Sequence, residues 1–422
     1  MEIKPKIIER SQHIISRKNL DDRVLRVLYT LSKHGYEANL VGGAVRDLLL
    51  DKEPKDFDVA TNATPEQVKA IFRNCRLIGR RFRLAHIHFG RHIVEVATYR
   101  ASHQNQNEGG VVSEDGRILR DNVYGNIEED AIRRDFTVNA LYYNIADFSI
   151  IDYAGGVTDL NNKLLRLIGD PEKRYREDPV RMLRAIRFSV KLGFEIEEKS
   201  EKPIHELKCL LADIPPARLF EENLKLFMGG DALENFKAIN NYGIFEMMFP
   251  LATKWLNGKD GDIANRIITQ ALINTDKRIR NNMHVTPAFL LAIFLWGAVS
   301  HLQKQHQSRG ENQYQALNMA IEDVMSQQIR HVSIPKRFSI VMKEIWRLQI
   351  RLPRRNGQRA FKLIAHQRFR AAYDFLLLRA QGGDADQDLC DWWTHFQEKG
   401  EKERKIMVAS LSKSVSSKKR KN

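Results

Sequence analysis

Asp56-Phe57-Asp58 sets two carboxylates two residues apart. In an extended strand such residues point to the same face, so the pair could hold hard cations through oxygen atoms alone. Magnesium is the ion that prefers carboxylate and phosphate oxygens in this way. Alone the pattern says little, because Asp260/Asp262 and Asp384/Asp386/Asp388 repeat it where the flanking residues read as loop. Its context is more specific. Upstream stands Leu40-Val41-Gly42-Gly43-Ala44-Val45-Arg46-Asp47, an apolar run that ends in two glycines and opens a helix. Backbone N–H groups at such a turn suit a triphosphate; Gly42 and Gly43 would admit it, and Arg46, one turn in, would add charge-assisted hydrogen bonds. An ordinary strand–helix turn needing positive φ would also use glycine. Glu95, inside Ile93–Tyr99, is a third acid. In an apolar strand it must face solvent, pair with a cation or lie near metal, and the neighbouring acids favour metal.

Two magnesium ions held by Asp56, Asp58 and Glu95 would lower the pKa of an RNA 3′-hydroxyl, bind an α-phosphate and stabilise departing pyrophosphate. That chemistry needs no covalent intermediate and no His/Cys cluster. His86 and His88 therefore read as structural groups or RNA contacts. The three cysteines, Cys75, Cys209 and Cys390, lie too far apart for a disulfide framework or a zinc signature, and each is expected as a small buried apolar residue.

The elements around these residues alternate short strands and helices. Strands are predicted at Ala38–Val41, Phe57–Ala60, Arg76–Ile78, Leu84–Phe89, Ile93–Tyr99 and Leu141–Asp152, and helices beginning near Ala44, Thr64 and Glu128. Thr64-Pro65-Glu66-Gln67 carries a complete helix start, with Thr64 as N-cap and Gln67 closing a capping box. Ala101–Gly125, rich in Asn, Gln, Gly and charge, reads as a long loop. After Asp152-Tyr153-Ala154-Gly155-Gly156 the strand signals almost vanish. The expected fold is α+β: a small mixed-sheet head followed by a mostly α-helical neck, body and C-terminal RNA-binding region. Expected segments are an N-terminal helical extension at 1–36, the head at 37–156, the neck at 157–228, the body with its basic C-terminal region at 229–400, and a basic disordered tail at 401–422.

The chain's 422 residues carry a formal charge of +15, which attracts polyanions and points to nucleic acid before any lipid surface. Its longest apolar run, Pro287–Val299, is too short to cross a bilayer, and the amino terminus lacks a secretory pattern. A cytoplasmic location without membrane partners is the expectation. Within Leu352–Arg370, Arg354, Arg355, Arg359 and Lys362 interleave with Phe361 and Phe369. The segment reads either as a solvated helix face or as an RNA-tracking surface with stacking aromatics. Ser410–Asn422, ending Lys418-Lys419-Arg420-Lys421, reads as disordered, with a nuclear-import signal as the alternative.

Taken in order, Gly42-Gly43-x-Val45-Arg46-Asp47, Asp56-Phe57-Asp58, Arg133-Arg134-Asp135-Phe136-Thr137-x-Asn139-Ala140, Asp152-x-x-Gly155-Gly156 and Glu177-Asp178-Pro179-Val180-Arg181 resemble the motifs of class II nucleotidyltransferases. That family comprises CCA-adding enzymes and bacterial poly(A) polymerases. The resemblance implies that Arg134 and Asp135, with Asn139, contact the nucleotide, Asp135 at the ribose. It implies that Asp-x-x-Gly-Gly is a hinge and that Asp178 and Arg181 face the incoming base. By spacing alone Asp178 and Arg181 could be a simple helical ion pair. Leu77–His86, with Arg80, Arg81 and Arg83, is similar to the poly(A) polymerase branch's basic signature, which implies RNA-binding roles there.

The expected activity is template-independent addition of AMP from ATP to RNA 3′ ends, using a two-magnesium site. Substrates would be mRNA fragments, small RNAs or tRNA, and RNA-degradation or RNA-chaperone proteins would be partners. Two alternatives stand: a tRNA CCA-adding enzyme, and a non-catalytic RNA-binding protein that keeps the fold. The second would be expected to lack the carboxylates at 56, 58 and 95.

Overall fold

The computed structural model describes residues 4–79, 83–101, 110–112, 118–121 and 123–419, with backbone alone at 110–112, 118–121 and 412–419. The chain forms two compact units, Met1–Leu210 and Leu211–Asn422. The neck expected over 157–228 is divided between them.

The first unit is built on an eight-stranded sheet in the order β1-β10-β9-β2-β3-β6-β5-β4. Its strands are β1 (Lys6–Ile8), β2 (Ala38–Val41), β3 (Asp58–Thr61), β4 (Cys75–Ile78), β5 (Leu84–Phe89), β6 (His92–Thr98), β9 (Leu141–Asn144) and β10 (Ile150–Asp152). β2 is buried along its whole length, as a central strand must be. The one parallel pairing is β3 with β6; the other neighbours are antiparallel. Helix α1 (Asp22–Lys33) is capped by Asp21 and buries Val24, Val27, Leu28 and Leu31 on one stripe, which lies across β2, β3 and β6. α2 (Gly43–Leu49) follows the diglycine, and α3 (Pro65–Ile71) opens with the expected capping box between Thr64 and Gln67.

Several sequence expectations are corrected here. The N-terminal extension is not purely helical: β1 adds to the sheet edge against β10, because Ile8 finds a buried seat there. Leu141–Asp152 is two strands rather than one, since Asn144 and Asp147 bond the backbone N–H groups of Ala146 and Ser149 and turn the chain. The loop expected at 101–125 contains a small antiparallel pair, β7 (Gly110–Val112) and β8 (Ile118–Asp121). α4 (Ile127–Arg133) then leads back to the sheet, and α5 (Gly156–Asn161), α6 (Pro171–Glu177), α7 (Val180–Leu192) and α8 (Glu198–Leu207) complete the unit, with a two-residue strand pair, β11 (Leu164–Leu165) and β12 (Glu195–Ile196).

Among the described residues the regular elements of the second unit are all helices, joined by short turns. Its centre is the helix Pro287–Ser308, the apolar run noted above, which is buried almost all round by neighbouring helices. Among the described residues no helix is long and apolar enough to cross a membrane. A second cluster gathers Leu352, Leu363, Phe369, Leu376, Trp393, Phe396 and Val408. Two expectations fail in this unit. Phe369 is a core residue packed on Trp393 and Tyr373, and Phe361 is partly buried against Phe396, so the spacing of the two aromatics serves packing more than a stacking surface. The tail is not disordered from residue 401: a helix runs Glu401–Lys419, anchored by buried Val408 and by Arg404, which donates to the carbonyls of Phe396 and Gln397. Of the cysteines, Cys75 and Cys390 are buried as expected, while Cys209 is exposed. The other Asp-x-Asp repeats contribute helix caps: Asp386 accepts from the Asp388 N–H, and Asp260 precedes the helix Gly261–Arg280.

Candidate active site

The glycine turn, the acids and the arginine motif meet at one end of the central strands. Gly42 has φ +74°, which disfavours a side chain, and a Cβ there would stand 3.4 Å from Arg134 Nη1 and 3.7 Å from the Asn139 carbonyl. The positive φ is what calls for glycine, since those distances are ordinary van der Waals contacts. Asp58 opens β3, and its register partner on the parallel strand β6 is Glu95, so both acids occupy one face with Asp56 just ahead of them. Glu95 is exposed, adjoins Asp58 and brings its Oε1 within 3.2 Å of His86 Nε2 on β5.

Asp58 is open to solvent yet surrounded by the bulk of the head. Desolvation, followed by repulsion from Glu95 and Asp56, raises its pKa to about 6, and the Arg134 charge only partly offsets this. A carboxylate group that repels itself in this way suits a divalent cation. The donor set is all oxygen, and magnesium sites commonly use one or two carboxylates plus substrate phosphates. Among the described residues no three ligating side chains close around a point by themselves, so such an ion would share its coordination with substrate and water.

Arg46, expected at the nucleotide, faces inward. It is 2% exposed, and its guanidinium donates to Asp47 Oδ1 from Nε (2.8 Å) and Nη2 (2.6 Å) and to Asn139 Oδ1 from Nη1 (2.5 Å). It braces the turn from inside because Phe188 and Asn139 enclose it. Asn139 in turn donates to Asp135 Oδ1 at 3.3 Å. That carboxylate also accepts from the Phe136 N–H at 2.8 Å and takes two donors from Arg184 on its other oxygen. Burial alone would push Asp135 up, but the Arg184 charge and these hydrogen bonds hold it at about 2. All four of its acceptor positions are in use, so a ribose hydroxyl would have to displace one of these donors. Arg184, three residues beyond Arg181, was not singled out from the sequence; its spacing on α7 is the signal that could have found it.

Arg134 is held from one side. Nε and Nη2 bond Asp130, and the Tyr142 hydroxyl adds a third contact, leaving Nη1 beside the Gly42 turn. Arg174 of α6 donates to the carbonyls of Arg133 and Arg134 at 2.6 and 2.7 Å, tying the motif to the neck. Arg181 bonds the Arg174 carbonyl (2.7 Å) and Glu177 (3.0 Å), and Asp178 accepts from the Val180 N–H. In the expected hinge, the Asp152 carboxylate accepts from Ala154, Gly156 and Val157 N–H groups and so caps α5.

Of the basic residues, Arg83 pairs with Glu66, and Arg80 and Arg81 lie outside the described residues. Arg354, Arg359 and Lys362 are exposed in the second unit, and Arg355 lies 5.1 Å over the Trp392 ring.

A mixed sheet with a diglycine turn, paired acids and an arginine motif at its end defines a nucleotidyltransferase. Solved structures share the fold: a tRNA-processing enzyme (apo form I) has TM-score 0.61 at 21% identity, covering 96% of this chain and 99% of that one. The Thermotoga maritima CCA-adding enzyme complexed with tRNA has TM-score 0.59 at 18% identity, covering 94% and 86%. Residues 38–166 match the family "Poly A polymerase head domain", 193–256 "Probable RNA and SrmB- binding site of polymerase A", and 309–422 "Polymerase A arginine-rich C-terminus". Poly(A) polymerase I of Salmonella typhimurium is 51% identical over 96% of this chain and 88% of its own length, and that of Haemophilus influenzae 46% over 95% and 90%. A CCA-adding enzyme of Lactobacillus helveticus is 38% identical over only 51% of the chain and 52% of its own. The chain belongs to the poly(A) polymerase I family. It is a template-independent polynucleotide adenylyltransferase that acts on RNA 3′ ends with a nucleoside triphosphate as substrate.

Proposed function

We propose that the transfer takes place at Asp56, Asp58 and Glu95, with magnesium held by Asp56 and Asp58, and that ATP lies between the Gly42–Gly43 turn and Arg134. The observation that carries this is the parallel register of Asp58 with Glu95, close enough to Arg134 for its charge to be felt at Asp58. When bound, magnesium supplies the positive charge that acidifies the 3′-hydroxyl and stabilises pyrophosphate. The 3′-hydroxyl gives up its proton to solvent as its oxygen bonds to the α-phosphorus, the bond from that phosphorus to the bridging oxygen breaks, and pyrophosphate leaves. Arg134 Nη1 faces the triphosphate at the turn. Arg46 and Asn139 keep the turn and Asp135 in register, and Asp135 aligns the sugar side of the site through Arg184. Asp178 and Arg181 contact the adenine from the neck. Arg83 in the first unit, and Arg354, Arg355, Arg359 and Lys362 in the second, bind RNA phosphates, with Arg80 and Arg81 assigned the same role by their place in the basic segment.

The cellular setting that fits RNA and ATP is the cytoplasm, where tailing feeds mRNA processing and decay alongside RNA-degradation or RNA-chaperone proteins. The test is to incubate the full chain and magnesium with an unstructured oligoadenylate, and separately with a tRNA lacking its terminal CCA, offering each nucleotide singly and together. Long ATP-dependent tails on the oligoadenylate are expected; addition limited to C, C and A on the tRNA would overturn the reading. Asp56→Ala and Asp58→Ala should each abolish addition while the protein stays folded, and retained activity in either would refute the metal assignment.

A further inference from the structure

Arg134 is gripped from behind by two residues that no sequence motif above includes. We propose that Asp130 and Tyr142 are positioning residues of the nucleotide site, orienting the Arg134 guanidinium so that Nη1 meets the triphosphate at the Gly42 turn. The inference rests on Arg134 being the triphosphate contact.

Asp130 lies one turn before Arg134 and is 8% exposed. Its Oδ2 accepts from Arg134 Nε at 3.2 Å, from Arg134 Nη2 at 3.0 Å and from the Tyr142 hydroxyl at 2.6 Å. Its Oδ1 accepts the Arg100 N–H at 3.3 Å, so the carboxylate is held in place from two sides. Tyr142 is fully buried, and its hydroxyl accepts from Arg134 Nε at 3.0 Å while donating to Asp130. Burial drives the phenol's pKa upward, so the hydroxyl keeps the proton that this chain of bonds requires.

The placement couples the clamp to the turn it serves. Tyr142 is the register partner of Val41, the residue just before Gly42, and the Gly42 N–H donates to the Leu141 carbonyl at 3.1 Å. One strand pairing therefore sets both the hydroxyl and the glycine turn. With Nε and Nη2 engaged by the clamp, Nη1 is the end of the guanidinium that lies beside Gly42. The fork geometry of arginine makes this orientation specific, since a bidentate grip on one edge fixes the direction of the other.

The same two groups hold the charge itself. Burial works against the Arg134 cation, and the charges and hydrogen bonds of Tyr142 and Asp130 outweigh that penalty, so its pKa is raised and the guanidinium stays protonated. The guanidinium carbon also lies 5.3 Å from the Tyr142 ring centre.

The test uses the full chain and measures ATP and adenosine binding, with KM and kcat on oligoadenylate, for Asp130→Asn, Tyr142→Phe, Arg134→Ala and the double variant Asp130→Asn/Arg134→Ala. Asp130→Asn should weaken ATP binding and raise KM about tenfold while adenosine binding stays within about twofold, because one charge-assisted grip on the phosphate contact is lost. In the Arg134→Ala background the same substitution should add less than about twofold, as residues acting through one another are not additive. Tyr142→Phe should shift ATP binding about threefold in the same direction, and carries the test if Asp130→Asn does not fold. Equal losses for ATP and adenosine, or an effect of Asp130→Asn undiminished without Arg134, would overturn the proposal. Unaltered ATP affinity in Arg134→Ala would instead refute the Arg134 assignment on which it rests.

Discussion

Replacing Asp135 by asparagine removes a negative charge that pairs with Arg184 while keeping the side chain's shape. In the structure the carboxylate is largely covered, takes two donors from Arg184 and one each from Phe136 and Asn139, and has a pKa held at about 2. A free aspartate titrates near ~3.9, so the depression of nearly two units is worth roughly 2–3 kcal/mol at neutral pH. Breaking a buried pair costs ~3–5 kcal/mol, and the partial exposure of Arg184 places this case at the low end. The expected loss is about 3 kcal/mol, read by urea unfolding of the full chain together with hydrogen exchange at α7. Because the folded pKa lies below the unfolded one, this stability is fully present above about pH 4 and is lost as the pH falls toward 2. The gap between wild type and Asp135→Asn should hold from pH 7 to about 4 and then narrow. A variant as stable as wild type at pH 7, or a gap unchanged down to pH 2, would refute the reasoning. Collapse of the preference for ATP over 2′-deoxyATP with stability intact would show that the carboxylate serves the ribose and not Arg184.

Gly156→Ala would put a Cβ 2.2 Å from the Thr137 carbonyl oxygen, a backbone atom that cannot move aside, so thermal unfolding should show a loss of about 2 kcal/mol or more. Without metal, Asp58 holds its proton longer in the folded chain than in the unfolded one, so stability should fall as the pH rises from about 4 through about 6. Melting curves should show that slope in wild type, lose it in Asp58→Asn, and show magnesium stabilising the protein at pH 7 but weakly below pH 6. Phe369→Ala should cost roughly 3–5 kcal/mol as a core truncation. By contrast, Arg354→Ala and Arg359→Ala should leave melting unchanged and reduce the salt dependence of RNA binding by about one counterion each.

What the sequence determined by itself was everything carried by local spacing. The diglycine before a helix and the capping box at Thr64 depend on neighbouring backbone geometry, and each appears where its spacing put it; of the Asp-x-Asp pair, Asp58 lies in the strand and Asp56 just before it. The position of Glu95 beside Asp58 was anticipated only as chemistry; the parallel pairing of β3 with β6 made it geometry. Spacing also misled where burial and solvent exposure look alike in a sequence. Phe361 and Phe369 among arginines could stack on bases or fill a core, and the apolar residues of the adjacent helices drew them inward. The helix Glu401–Lys419 was hidden for the same reason, since Val408 gains its seat only from residues far upstream. The tertiary structure alone decided how the charged groups are shared. Arg46 meets Asn139 across 93 residues and Arg184 meets Asp135 across 49. No local pattern records those encounters, because they arise from which helix faces the packed sheet presents to one another.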